Sequence, residues 1–156
     1  MAHDGLESRP PVRPGASIVN LELQVANVRW KTEPDEHDYP AAGSYLSLVT
    51  DPETAARLVE GLRASAIEAH KGKDLLRASG LPALPPDNVH VAQDLAKVHA
   101  GKALSPVLLV RGDLSRGAPL QIADGYHRVC AAYHLDEDTD IPCRIVGLRT
   151  ADQAKR

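Results

Sequence analysis

Residues 120–146 read LQIADGYHRVCAAYHLDEDTDIPCRIV, and the order of apolar and turn-forming residues in this stretch decides the fold. The apolar run from Leu120 to Ala123 predicts a short strand, and Asp124-Gly125 predicts a sharp turn after it. The apolar residues that follow, Tyr126, Val129, Cys130 and Tyr133, are spaced at i, i+3, i+4 and i+7. This spacing predicts a helix with one buried face. The apolar residues between Ile141 and Val146 predict a second strand.

The first turn of the predicted helix carries two polar side chains, His127 and Arg128, rotated off its buried face. Backbone N–H groups at a helix N-terminus have no partner within the helix, and the helix dipole is positive there. An imidazole and a guanidinium added to these groups favour the binding of anions, above all phosphates. The sequence therefore predicts a phosphate site without a Walker-type glycine loop.

Composition limits the classes of function. The chain has 156 residues, which suits one domain, and a formal net charge of −3, which argues against non-specific DNA binding. Aromatic residues make up 3% of the chain and Phe is absent, so a base-stacking surface for single strands is not expected. Cys130 and Cys143 lack zinc-finger spacing, and we expect both to be buried thiols in a reducing cytoplasm rather than a disulfide. No apolar run is long enough to span a membrane.

The chain divides by composition into three segments within one domain. Residues 1–16 are rich in Pro, Arg and Gly and predict a disordered tail. Residues 17–86 predict a mostly helical extension: a strand or short helix over 17–30, a loop over 31–43, a helix from Pro52 to about His70 with Asp51 as its N-cap, and a helix from Lys73 to Ser79 ending at Gly80.

Residues 87–149 predict the core. A helix from Val89 to about Ala100, capped by Asp87 or Asn88, is followed by a strand over Leu104 to Val110 and a turn over 111–119. The strand, helix and strand of residues 120–146 complete it. The predicted fold class is α+β, a mixed α/β unit with a small mixed sheet and flanking helices.

Residues 87–148 resemble the superfamily that contains sulfiredoxin and the N-terminal domain of the chromosome-partition protein ParB. The resemblance is strongest at ADGYHR, residues 123–128, followed by Ala131-Ala132-Tyr133. Sulfiredoxins have Gly-Cys-His-Arg at the place of Gly125 to Arg128, ParB proteins have a Gly-Glu-Arg-Arg type motif, and ParB-related free-serine kinases have Asp-Gly-His-His-Arg. The resemblance implies a ParB/sulfiredoxin-like core in which this turn holds the phosphates of ATP, ADP or CTP.

Two departures from the superfamily narrow that implication. Tyr126 stands where sulfiredoxin chemistry needs a thiol, so sulfinic-acid repair is not expected. A partition protein needs a helix-turn-helix domain and a dimerisation tail, and residues 149–156 are too few to supply either. The part of the superfamily that the resemblance still implies is the core that binds a nucleotide.

Each candidate residue has a functional and a plainer interpretation. Arg128 is expected to bind a terminal phosphate, and His127 to bind phosphate or transfer a proton as a catalytic residue. Asp124 is expected to act in catalysis by holding Mg²⁺, or simply to cap the helix, and Gly125 to allow close approach of the phosphate, with Tyr126 beside it. The helix from Val89 presents a polar stripe of His90, Gln93 and Lys97, which either contacts the ligand or is a solvated flank.

These observations lead to one preferred function and two alternatives. The preferred function is binding of a nucleotide, ATP or CTP or ADP, with Mg²⁺, in a phosphotransferase or NTP hydrolase. One alternative is a DNA-associated ParB-like module, partition- or nuclease-like, that acts with a partner or oligomer. The other is a non-catalytic nucleotide sensor. The base preference, the acceptor, the general base and a homodimer stay open.

Overall fold

The structure, a computed structural model, describes residues 27–148. The predicted tail over 1–16, most of the segment 17–30 and residues 149–156 lie outside the described residues. The elements in chain order are helices α1 (Asp38–Val49) and α2 (Pro52–Ala64), strand β1 (Ile67–Lys71), helices α3 (Gly72–Ser79) and α4 (Val89–His99), strand β2 (Val107–Val110), a short 3-10 turn (Leu114–Arg116), strand β3 (Gln121–Asp124), helix α5 (Tyr126–Leu135) and strand β4 (Asp140–Val146).

The four strands form one mixed sheet in the order β1-β4-β2-β3. β2 and β4 are parallel, whereas β1 pairs antiparallel with β4 and β3 pairs antiparallel with β2. The predicted α+β class, a small mixed sheet with flanking helices, is therefore confirmed.

Helices cover both faces of this sheet, and the alternation along β2 shows why. Val107 and Leu109 face the cluster formed with α3, α4 and α5, while Leu108 and Val110 face the cluster formed with α1 and α2. All four side chains are at most 5% exposed. A strand buried on both faces is apolar throughout, which explains the uninterrupted run VLLV.

Several predicted elements are confirmed where local signals were strong. α2 begins at Pro52 and the side chain of Asp51 accepts from the N–H of Thr54. α3 ends at Gly80, which has the left-handed conformation with φ 70°. The side chain of Asn88, not Asp87, caps α4 by accepting from the N–H groups of His90 and Val91. The order helix, strand, turn, strand, helix, strand after residue 88 also stands as predicted.

Two predictions in the N-terminal half are wrong. The predicted helix to His70 stops at Ala64, and residues 67–71 form β1, which pairs with β4 from Ile67 opposite Arg144 to Lys71 opposite Asp140. Four of the five residues of this edge strand are exposed, and the alternation of Ile67 and Ala69 with Glu68 and His70 is too short to distinguish a strand from the end of a helix. The predicted loop over 31–43 contains the start of α1 at Asp38, because Pro40 lies in the first helical turn, where a missing N–H costs nothing.

Three smaller expectations can also be compared with the structure. Cys130 and Cys143 are both buried and free, as expected. Among residues 27–148 no helix combines the length and the apolar character needed to cross a bilayer. The predicted strand at Leu104 is shorter than expected: Leu104 makes an isolated parallel bridge to Trp30, and β2 itself begins at Val107.

Candidate functional site

The turn between β3 and α5 depends on a glycine. Gly125 has φ 109°, a conformation that side chains rarely adopt. A Cβ at this position would lie 2.5 Å from Cγ1 of Val107 and 2.9 Å from Nη2 of Arg128. The residue type at this position is therefore set by sterics: the backbone passes directly against the start of β2.

Helix α5 begins immediately after this turn with an N-terminus that no side chain of the described residues caps. The capping role considered for Asp124 is therefore wrong, and its carboxylate has another partner, Arg128. Free N–H groups and the positive end of the dipole remain available at Tyr126, His127 and Arg128.

A polar pocket of about 170 Å³ lies between this N-terminus and α4. It brings together six of the residues singled out in the sequence, together with Asp94. The rings of His90 and His127 both line it and lie next to each other, with centroids 4.8 Å apart and planes inclined by 49°. The lining residues are His90, Gln93, Asp94, Asp124, Gly125, His127 and Arg128.

Two predicted site residues do not line this pocket. The hydroxyl of Tyr126 donates to the carbonyl of Pro82 at 2.6 Å, which ties the first residue of α5 to the loop before α4. Nζ of Lys97 lies 3.9 Å from Oδ1 of Asp94, and its side chain is 56% exposed. Lys97 can thus act on the pocket only through the charge of Asp94.

Arg128 is held by the protein's own carboxylates. Its Nη2 donates to Oδ2 of Asp124 at 2.9 Å and lies 3.6 Å from Oδ2 of Asp38, a residue only 3% exposed. The Asp38 carboxylate also accepts from Ser105 Oγ at 2.5 Å and from the N–H of Asp35 at 3.3 Å. Nε of Arg128 is buried without a hydrogen-bond partner. One guanidinium therefore links α1, β3 and α5 and keeps unused donor capacity.

Burial changes the proton affinities of the groups in the pocket. It raises the pKa of Asp94, and it raises the pKa of Asp124 against the opposing effect of Arg128, with nearby Asp38 raising it further. Burial and the neighbouring His90 lower the pKa of His127. Near pH 7 the His127 imidazole is therefore neutral, with one nitrogen free to accept a proton.

The sequence analysis missed two acidic residues of the site. Asp94 is four residues after His90 on α4, so the same helical spacing that selected His90, Gln93 and Lys97 places it on that face. Asp38 has no such signal, because only the packing of α1 against the sheet brings it to Arg128.

A metal ion was predicted at Asp124, but the structure places a guanidinium against that carboxylate. Within the described part of the chain, one group of three acidic and histidine residues is close enough for a shared ion: Asp35, His37 and Asp38. Lys31 pairs with Asp35 at 2.8 Å and Arg128 lies beside Asp38, so both carboxylates already have cationic neighbours.

Comparisons of this chain with family models, with curated proteins and with solved structures gave no match.

Proposed function

We propose that the pocket at the N-terminus of α5 binds the phosphate group of a nucleotide, ATP, ADP or CTP, together with Mg²⁺. The observation that carries the proposal is the convergence, at one uncapped helix N-terminus, of Gly125, the neighbouring rings of His90 and His127, and the partly unsatisfied guanidinium of Arg128. Such a terminus binds phosphate through backbone N–H groups, to which these side chains add donors.

The volume of the pocket limits which part of the ligand it holds. Sites for whole small molecules occupy roughly 300–1,000 Å³. A pocket of about 170 Å³ suits a phosphate group, with the nucleoside lying on the exposed surface outside it. Gln93 and His90 line the pocket from α4 and are exposed, so they are placed to contact the part of the ligand that extends outward.

The acidic residues of the pocket set the conditions for binding. Asp94 and Asp124 repel a phosphate when ionised, so either protons or Mg²⁺ must offset their charge. A neutral His127 beside a bound phosphate is suited to accept a proton, as a phosphotransferase or NTP hydrolase needs. We therefore assign proton transfer to His127 and charge balance to the Arg128–Asp124 pair.

Removal of Arg128 would be a poor test of this proposal. Without the guanidinium, Asp38 and Asp124 would be left as buried carboxylates, and breaking a buried ion pair costs about 3–5 kcal/mol of stability. Loss of binding would then not be separable from loss of the fold. His127 is a better position, since its side chain makes no ion pair within the described residues.

The experiment is calorimetric titration of inorganic phosphate, ADP, ATP, CTP and GTP, each with and without Mg²⁺, on wild type, His127→Gln and a control, His99→Gln. His99 is an exposed histidine at the C-terminal end of α4, the helix that lines the pocket opposite α5. We expect at least one nucleotide to bind the wild type and His99→Gln equally, and His127→Gln to bind it roughly tenfold more weakly, the cost of one hydrogen bond to a charged group.

The pH dependence gives a second measure. A bound phosphate raises the pKa of His127, so affinity should increase as pH falls through the range in which the imidazole takes up its proton, and His127→Gln should reduce this dependence. Equal affinities in wild type and His127→Gln at every pH, or no binding of any of the five compounds, would remove the phosphate site.

A further inference from the structure

A second cavity lies at the other end of β2 from the phosphate pocket. The first pocket adjoins Val107, where β2 begins, whereas this cavity adjoins Leu109, Arg111 and Gly112, where β2 ends. Its volume is about 410 Å³, more than twice that of the first pocket and within the range of roughly 300–1,000 Å³ for sites of small organic molecules.

The interior of this cavity is apolar. Its walls are the side chains of Leu75 and Ala78 from α3, Leu109 from β2, Leu120 before β3 and Ile145 from β4. Such a cavity favours an apolar ligand, because each methylene group that leaves water contributes about 0.8 kcal/mol of favourable transfer free energy.

Four ionisable residues line the cavity, and three of them already have partners. The carboxylate of Asp74 pairs with Arg77 at 3.1 Å, that of Asp113 accepts from Ser115 and lies 3.6 Å from Arg116, and His70 pairs with Glu68 at 2.9 Å. Arg111 is different: its side chain forms no hydrogen bond or ion pair with any residue between 27 and 148. The charged side chain of the lining that has no partner among the described residues is therefore a cation.

We infer that this cavity binds a small monocarboxylate with an apolar body, whose carboxylate pairs with Arg111 while its hydrocarbon part fills the space between α3 and the sheet. A guanidinium pairs with a carboxylate through two parallel hydrogen bonds, which gives a preference over an alcohol or an amine of the same length. This inference uses neither the residues nor the proposed ligand of the phosphate pocket.

The loop over the cavity adds one further contact surface. Leu114, in the 3-10 turn between β2 and β3, is 98% exposed although it lines the cavity. An apolar side chain in that position can lie against the hydrocarbon part of a ligand, and its loss cannot disturb the core.

The test uses octanoate as the probe, with octanol and octylammonium as comparators, titrated into the full chain and followed by amide NMR and calorimetry. We expect octanoate to bind saturably, with shifts centred on Leu109, Gly112 and Ala118, and to bind about tenfold more tightly than octanol. Arg111→Gln should bring octanoate to the level of octanol. Lys102→Gln, which removes an exposed cation elsewhere, should leave octanoate binding unchanged.

Two further variants check the location without relying on charge. Ala78→Leu introduces a larger side chain into the cavity from an exposed helical position and should abolish binding of octanoate and octanol alike. Leu114→Ser should weaken octanoate several-fold while leaving stability intact.

Each opposite result overturns the inference. Absence of octanoate binding, equal binding of octylammonium, or unchanged octanoate binding in Arg111→Gln would show that Arg111 does not select a carboxylate here. If Ala78→Leu fails to fold, unchanged binding in Leu114→Ser and Arg111→Gln together decides against the site. His127→Gln, the variant that tests the phosphate pocket, should bind octanoate as the wild type does. The two proposed sites can therefore be tested independently of each other.

Discussion

Asp94 is a buried carboxylate whose surroundings disfavour its charged form. It is 9% exposed and forms no hydrogen bond with the described residues; Nζ of Lys97, 3.9 Å away, is its ion-pair partner. Burying a carboxylate with so few partners costs free energy unless the group serves a ligand. In the pocket that we propose for phosphate, that cost is consistent with a role in binding Mg²⁺ or in proton transfer.

This leads to a prediction on stability and pH. Burial raises the pKa of Asp94 above its ordinary value of 3.8, so the folded state holds the proton more tightly than the unfolded state. The group therefore favours folding at low pH, and this contribution is lost as pH rises through the folded-state pKa. Asp94→Asn does not titrate, and we expect it to be more stable than wild type by roughly 1 kcal/mol at neutral pH and no more stable near about pH 3.

Urea unfolding at several pH values measures this difference, with Asp87→Asn at an exposed position before α4 as the control. A lower stability of Asp94→Asn at neutral pH would mean that the ion pair with Lys97 outweighs the cost of burial. The same variant should also weaken the Mg²⁺-dependent part of nucleotide binding.

At the scale of elements, the turn between β3 and α5 both reverses the chain and shapes the proposed binding site. The left-handed Gly125 lets the chain reverse from the sheet into α5, and the absence of a Cβ lets it pass against Val107. The same geometry leaves the N-terminus of α5 uncapped and facing the pocket. Fold and proposed binding site therefore depend on the same few dihedral angles.

Gly125→Ala should be strongly destabilising. The left-handed conformation costs an L-residue roughly 1–2 kcal/mol, and crowding against Val107 adds about 1–3 kcal/mol. Gly80→Ala is the matched control, since Gly80 also has positive φ, 70°, but a Cβ there would meet no atom within 4 Å. We expect roughly 1–2 kcal/mol for the control and about 2–5 kcal/mol for Gly125→Ala in urea unfolding.

The steric part can be isolated by combining the change with Val107→Ala. Relief of the contact should make the double variant more stable than the sum of the two single changes predicts. Additive effects, or equal losses at Gly80 and Gly125, would show that the approach to Val107 is not what requires glycine.

For the whole molecule, the important fact is that the sheet belongs to both halves of the chain. β1 comes from the N-terminal half and pairs with β4, the last strand. α1 and α2 cover the sheet face that presents Leu108, Val110 and Val146. Neither half has a complete core without the other.

A fragment of residues 87–149, the segment with the resemblance, is therefore expected not to fold by itself. It would lack β1 and expose the apolar face that α1 and α2 cover, a loss well above the marginal stability of a small domain. Amide NMR dispersion and urea unfolding of the fragment, compared with the full chain, measure this. A dispersed spectrum with a cooperative transition would show that the N-terminal half is dispensable for the fold.

Local patterning was sufficient for the order of the elements between residues 88 and 146, for the start of α2 and for the end of α3. The caps at Asp51 and Asn88, the left-handed Gly80, the apolar repeat of α5 and the run VLLV act over a few residues, so they can be recognised without the fold. The Asp-Gly turn, the start of α5 and the polar stripe of α4, read together with the resemblance, selected six of the seven residues that line the pocket.

Tertiary structure decided what depends on contacts between distant residues. β1 is a strand because β4 supplies its hydrogen-bond partners, and its own alternation, Ile67 to His70, covers only four residues. Arg128 is engaged by Asp38 because α1 packs on the sheet, and the cavity beside Arg111 exists because α3 lies over the ends of β2 and β4. The periodicity of apolar residues indicates which face of a helix or strand is buried. Which other element covers that face depends on the packing of the whole chain.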